Sequence, residues 1–203
     1  MIIEEVQNKG KIVLKEFESL SMERVGVYFD STCGFEHNIE WMNKTQRDTF
    51  DSIKMKNPDF KIEDFDNANF IYGDGIPEVT PLELYNNSSQ KEYKIRNSKE
   101  GKNCKYIGNM CLITIYQYWE DYYREMLATI FSVNKTDIKS DLFGDIGIIH
   151  NSIIHNNSIA SSEINKCKLL KWFQPADEIF IKKEYIVEIL RNIRHHKIII
   201  ENI

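Results

Sequence analysis

The residues of this chain best suited to chemistry lie in one short run, His150-Asn151-Ser152-Ile153-Ile154-His155-Asn156-Asn157. An imidazole titrates near neutral pH and can both take and give a proton. A carboxamide beside it can orient the ring or an anionic substrate. On a helix each residue turns by about 100°. Asn151 and His155, four apart, then share a face, while His150 points about 140° away from His155. Ile146, Ile149 and Ile153 fall on the opposite side and would hold the helix to a core, so Asn151 and His155 look outward. A zinc helix of the HExxH kind needs histidines four apart with an acid between them. These are five apart with no acid between, and no metal and no cofactor is expected. The plainer role for His155 is a polar residue donating to a carbonyl near an Asn-rich helix end.

Four stretches of chain surround this run. Residues 1–55 read as leading helices, with Val6, Ile12, Val13, Phe17 and Leu20 at three- and four-residue steps. Gly26 and Gly34 argue against one unbroken rod. Residues 56–105 read as a loop-rich insertion, punctuated by Asn57-Pro58, Gly73-Asp74-Gly75, Pro77, Pro81 and Asn86-Asn87-Ser88-Ser89. Phe70-Ile71-Tyr72 is a candidate short strand within it. The clearest helix runs from about Ile107 to Phe131, with Leu112, Ile115, Trp119, Tyr122, Met126 and Ile130 on one face and Cys111, Tyr116, Tyr118, Tyr123 and Leu127 widening the apolar arc. Glu120 precedes Arg124 by four, a favourable pair. The His-Asn run closes a helix from Gly144 to Asn157, Ser158 or Ser161 caps a short one, and a last amphipathic helix spans about Lys182–Arg194. The tail from His195-His196-Lys197 onward is ambiguous. The sum is an all-α bundle, one domain over 1–203 with its core motif region at 106–194, possessing at most minor short strands.

Composition sets outer bounds. The 203 residues are 42% hydrophobic and 28% charged, as in an ordinary folded protein. With 26 basic and 31 acidic residues the net charge is -5, which excludes a whole-surface grip on nucleic acid but allows a local basic groove. No apolar run is long enough to span a bilayer, and the first residues carry acids where a secretion signal needs bases. The four cysteines form no CxxC pair and fit reduced thiols in a cytoplasmic protein. Gly73-Asp74-Gly75 lacks the rest of a phosphate loop. The acidic cluster Asp59, Glu63, Asp64 and Asp66 lacks the spacing of a calcium loop. Lys91, Lys94, Arg96, Lys99, Lys102 and Lys105, with Tyr93 and Tyr106 interleaved, read as a solvated loop or as a strip that tracks an RNA backbone.

The segment His150-Asn151-Ser152-Ile153-Ile154-His155-Asn156 resembles the signature of the HEPN superfamily, roughly Arg-Asn-x-Ile-x-His-Asn. Asp145 stands where many members carry an acid. Tyr118-Trp119-Glu120 resembles the family's preceding long helix. The order Leu170-Lys171-Trp172-Phe173, a turn, Glu178-Ile179-Phe180-Ile181 and a helix is similar to the family's downstream region. The likeness covers about residues 105–194.

The resemblance implies an all-α bundle that pairs as a homodimer through its motif helices and acts on RNA. The implied activity is a metal-independent endoribonuclease of a toxin–antitoxin or phage-defence system, partnered by an antitoxin or a nucleotidyltransferase. His155 would be the general acid or base, Asn151 would position it or the phosphate, and His150 would stand in for the family arginine. Arg124 and Asn156 would bind substrate. An imidazole is a weaker phosphate clamp than a guanidinium, so the alternative is a catalytically inactive module that binds RNA, nucleotide or protein.

Overall fold

The computed structural model describes residues 2–75, 80–81, 83–195 and 198–200. Pro77, His196 and Lys197 lie outside them. The described residues are mostly helical with two small two-stranded sheets. It forms two compact units, one from Met1–Asp30 with Lys105–Ile203, the other from Ser31–Cys104. Among the described residues no helix is long and apolar enough to cross a membrane.

Helix α1 runs unbroken from Ile2 to Lys54 and contributes to both units. The expectation of several leading helices therefore gives way to one. A helical glycine costs about 1 kcal/mol relative to alanine, too little to interrupt a helix fastened elsewhere. Val13, Phe17, Val25 and Tyr28 are buried in the first unit, and Met42 and Gln46 in the second.

In the second unit the stretch read as loop is largely ordered into elements. A 3-10 turn at Ile62–Asn67 leads into the antiparallel strands β1 (Asn69–Asp74) and β2 (Glu83–Ser89), then helix α2 (Gln90–Asn97). The Phe70-Ile71-Tyr72 run is part of β1, as its residue types suggest. Ser89 starts α2 through a reciprocal cap: its Oγ accepts from Glu92 N at 3.1 Å, and its N–H donates to Glu92 Oε2 at 2.8 Å. Part of the basic stretch is spent within this unit. Lys94 donates to Asp66 at 2.7 Å and to Gln46 at 2.8 Å, Arg96 lies over the Tyr93 ring, and Tyr93 is buried against Phe70. Tyr93 is thus no stacking platform for a base.

In the first unit α3 (Lys102–Tyr118) continues through one π turn, Trp119–Tyr123, into α4 (Arg124–Phe131). After a 3-10 turn at Lys135–Asp137 come β3 (Ile138–Lys139), α5 (Asp141–His155), a 3-10 turn at Ser162–Lys166, α6 (Lys183–His195) and β4 (Ile199–Ile200), which pairs antiparallel with β3. Trp119 stacks face to face on Phe143, with centroids 4.0 Å apart, and Phe17 closes on both.

The π turn corrects the expected helix face. Leu112, Ile115 and Trp119 are buried as their spacing predicts, but Tyr122 is 54% exposed, and Tyr123 and Leu127 are buried in place of Tyr122 and Met126. A wide turn takes up one extra residue, so the buried phase beyond it falls one position later. Asn109 joins α3 to the extended run 179–181. Its Nδ2 donates to the Ile179 carbonyl at 3.2 Å, and its Oδ1 accepts from Ile181 N at 3.1 Å. Gly108 allows that approach, since a Cβ there would lie 2.1 Å from the Ile181 carbonyl oxygen.

Candidate functional site

Helix α5 begins with Ser140, whose Oγ accepts from Phe143 N at 3.4 Å, and ends in a turn where Asn157 and Ser158 have positive φ. Asparagine tolerates that left-handed conformation better than most residues, which accounts for part of the Asn-rich sequence. Ile146, Ile149 and Ile153 are buried, and Asn151, His155 and Asn156 are exposed. The expected sorting holds for these residues, whereas Ile154 is exposed and Ile148 half-buried.

Asp145 has a role that sequence reasoning did not see. It is 3% exposed, and its carboxylate accepts from the backbone N–H groups of Lys168, Leu169 and Leu170 at 2.8, 2.6 and 2.8 Å. Ser152, also buried, accepts from Ser161 N at 3.2 Å. Asp145 and Ser152 bind the segment after α5 to the helix and fix its attitude in the unit. Asp145 is thereby a positioning residue.

A cleft of about 390 Å³ lies between the π turn and α5, and Asp145 is not part of its lining. Trp119 and Phe143 form its apolar part, and Glu120, Arg124, Lys139 and Asp141 are its charged lining. On α5, Gly144, Ile148 and Asn151 line it at steps of four and three, one face of the helix. His155, four beyond Asn151, continues the same stripe about 6 Å further along the axis and is not part of the lining. Tyr116 makes another wall. Its ring lies 4.8 Å from that of His150, and it packs where Gly147 offers no side chain, a Cβ there falling 2.8 Å from its Oη. Burial raises the Tyr116 phenol above its ordinary pKa, Glu120 adds to that, and Arg124 opposes it.

The structure thus brings Arg124 and Asn151 into one cleft, with His150 beside its wall. His150 Nδ1 lies 3.3 Å from Asn151 Oδ1. His155 and Asn156 stand outside, exposed at the helix end, and no hydrogen bond joins the His155 ring to a carbonyl among the described residues. Arg124 is firmly held. Its Nε donates to the Ile138 carbonyl at 2.9 Å, and its Nη1 reaches both Glu120 oxygens at 3.1 and 2.8 Å. Those bonds leave Nη2 over. Glu120 also pairs with Lys135 at 3.1 Å. The helical pair Glu120–Arg124 was legible from its spacing; its place in a cleft depends on the π turn and was not.

No group of three or more His, Cys, Asp or Glu among the described residues could hold a metal ion. Cys104, Cys111 and Cys167 are buried and Cys33 is exposed, all as free thiols. Burial pushes the Cys111 thiol up to about 12 and the Cys167 thiol to about 11, the latter with help from Asp145. A buried thiol raised in this way carries little thiolate at neutral pH. No family model, no curated protein and no solved structure matches the chain.

Proposed function

We propose that this chain is an RNA-directed protein of the HEPN type that cleaves RNA without a metal along the outward stripe of α5. The observation that carries the reading is the sorting of α5 itself. Ile146, Ile149 and Ile153 are buried, Asn151 and His155 are exposed on one face, and that face runs into a cleft holding Arg124. In this scheme His155 moves the proton between the 2′-hydroxyl and the leaving oxygen. Asn151 orients the phosphate, Asn156 adds a polar contact at the helix end, His150 stands in for the family arginine, and positive charge from Arg124 offsets the charge growing on phosphate. A second copy joined through α5 would set two such stripes together. The setting that suits this activity is a toxin–antitoxin or phage-defence system, with an antitoxin or nucleotidyltransferase as partner.

One observation favours the non-catalytic alternative. Arg124, the cation of the long helix that could replace the family arginine, is already bound by Glu120. Labelled RNA incubated with the protein in EDTA separates the two. Cleavage by the wild type that falls about 10²- to 10⁴-fold in a folded His155→Ala protein supports catalysis. No cleavage by the wild type but activity in His150→Arg marks a silenced member. RNA left intact by every folded form refutes the ribonuclease reading.

A further inference from the structure

Arg124 and Lys135 share one carboxylate. Arg124 Nη1 donates to both oxygens of Glu120, at 3.1 and 2.8 Å, and Lys135 Nζ meets Oε1 at 3.1 Å. The side chains of Arg124, Glu120 and Lys135 are 22%, 28% and 31% exposed, so these contacts are only partly screened by water and salt. Glu120 and Arg124 line the cleft, and Lys135 is not part of its lining. One short turn sets both holds. Asn134 N donates to Asp137 Oδ2 at 3.1 Å and starts the 3-10 turn at Lys135–Asp137. Lys135, at the start of the turn, reaches Glu120. The Ile138 carbonyl, just past its end, accepts from Arg124 Nε at 2.9 Å. Ile138 is fully buried, which fixes that end of the guanidinium. The hold of Glu120 on Nη1 is the one that can change hands.

We propose that Glu120 is a latch on Arg124 and that Lys135 is the residue that lets it open. The inference rests on the RNA-directed reading above and gives that site its regulation. With no substrate present, Glu120 occupies Nη1. When an RNA phosphodiester enters the cleft, Nη1 and Nη2 bond its oxygens while Nε stays on Ile138, a pairing that suits a planar guanidinium. Glu120 then loses Arg124 but keeps a counter-charge, because Lys135 remains on it. A carboxylate left without any cation in a partly buried place is destabilised, and Lys135 prevents that. Lys135 is thus a positioning residue that acts through Glu120 and not on RNA. The Glu120–Arg124 pair is the resting state of the site and not a mark of lost function.

The test uses the full chain carrying His155→Ala, so that bound RNA stays intact, and one labelled single-stranded RNA in EDTA at one fixed salt concentration. Glu120→Gln should tighten RNA binding about tenfold. Lys135→Ala should weaken it about threefold, and Lys135→Arg should bind as the parent does. Charge alone would give the same two signs, so the decisive protein carries both changes. With Gln at position 120, Lys135→Ala should alter binding less than about twofold, because the lysine has no carboxylate left to hold. A Lys135→Ala loss that persists undiminished in that background shows Lys135 acting on RNA directly; it overturns the latch and leaves RNA binding standing. A second readout needs no RNA. In protein made with isotope-labelled arginine, NMR follows rotation of the Arg124 guanidinium about its Nε–Cζ bond, with Arg124→Lys assigning the signal. Rotation should be slowest in Lys135→Ala and fastest in Glu120→Gln. Equal rotation in these variants and their parent overturns the latch. Rotation in the expected order, with RNA bound by no folded form, supports the latch and refutes RNA as its ligand.

Discussion

Asp145 is the residue whose replacement is most informative. It resembles the acid of a catalytic motif in sequence, yet the structure uses it as an anchor. Its Oδ1 accepts from Lys168 N, and its Oδ2 from both Leu169 N and Leu170 N. Bonds to a charged acceptor contribute about 1.5–3 kcal/mol each. Asp145→Asn keeps the shape but turns one acceptor into a donor. With the amide oxygen at the Oδ2 position, two bonds survive as weaker neutral ones and the NH₂ group faces the Lys168 N–H. The summed loss is about 3 kcal/mol. For a chain of this size 1 kcal/mol moves the melting temperature by about 2–4 °C, so Asp145→Asn should melt about 6–12 °C lower. Asp145→Ala should cost more, because Leu170 is fully buried and its N–H would be left without a partner. Thermal melts followed by circular dichroism read the loss, and hydrogen exchange at residues 168–170 localises it. A change in Tm of under about 2 °C for Asp145→Asn would refute the anchoring argument. If cleavage vanished at unchanged Tm and unchanged exchange, Asp145 would have to act in the chemistry directly.

Three further outcomes rest on the packing. Gly108→Ala should destabilise the first unit by about 2 kcal/mol or more, because the new Cβ meets the backbone of Ile181 and cannot be accommodated by a rotamer. Gly26→Ala, whose Cβ would meet nothing within 4 Å, should instead stabilise by up to about 1 kcal/mol; urea titration compares the two, and equal effects would contradict the geometry. At neutral pH a thiol reagent should label Cys33 alone in the folded protein and all four cysteines after denaturation; rapid labelling of a second native thiol would show that Cys104, Cys111 or Cys167 is reachable. Asp66 is held below the ordinary carboxyl range chiefly by the hydrogen bond from Lys94. A depressed folded pKa contributes stability above the unfolded value of about 3.9 and loses it as pH falls through the folded value. The stability gap between wild type and Asp66→Asn should therefore be flat from neutral pH down to about 5 and close below about 4; a gap that widens in acid would show the sign to be wrong.

How much could be read in the sequence depends on which signals are local. The apolar faces of α5 and α6 were legible because each helix keeps a single phase: Ile186, Ile189 and Ile193 are all buried as their spacing requires. The Ser89-x-x-Glu92 cap was present in the sequence but lay hidden among turn residues, and with it α2 was missed. Long-range pairings left no mark at all. Nothing in Asn109 announces that its amide will act as a strand partner for residues 179 and 181, and nothing in Asp145 announces three backbone donors 23 to 25 residues away.

The π turn had the largest consequence for the site. A straight α-helix from Ile107 to Phe131 would keep Tyr122, Met126 and Ile130 on the buried face with Trp119. The wide turn at Trp119–Tyr123 shifts the phase by one residue, buries Tyr123 and Leu127, and leaves Tyr122 outside. The same turn carries Glu120 and leads directly into Arg124, and both line the cleft that meets α5 at Asn151. A cation placed by a break in helical periodicity is invisible to any argument built on that periodicity. For this reason Arg124 could be named from the sequence, but its place in the cleft could be found only once the turn itself was seen.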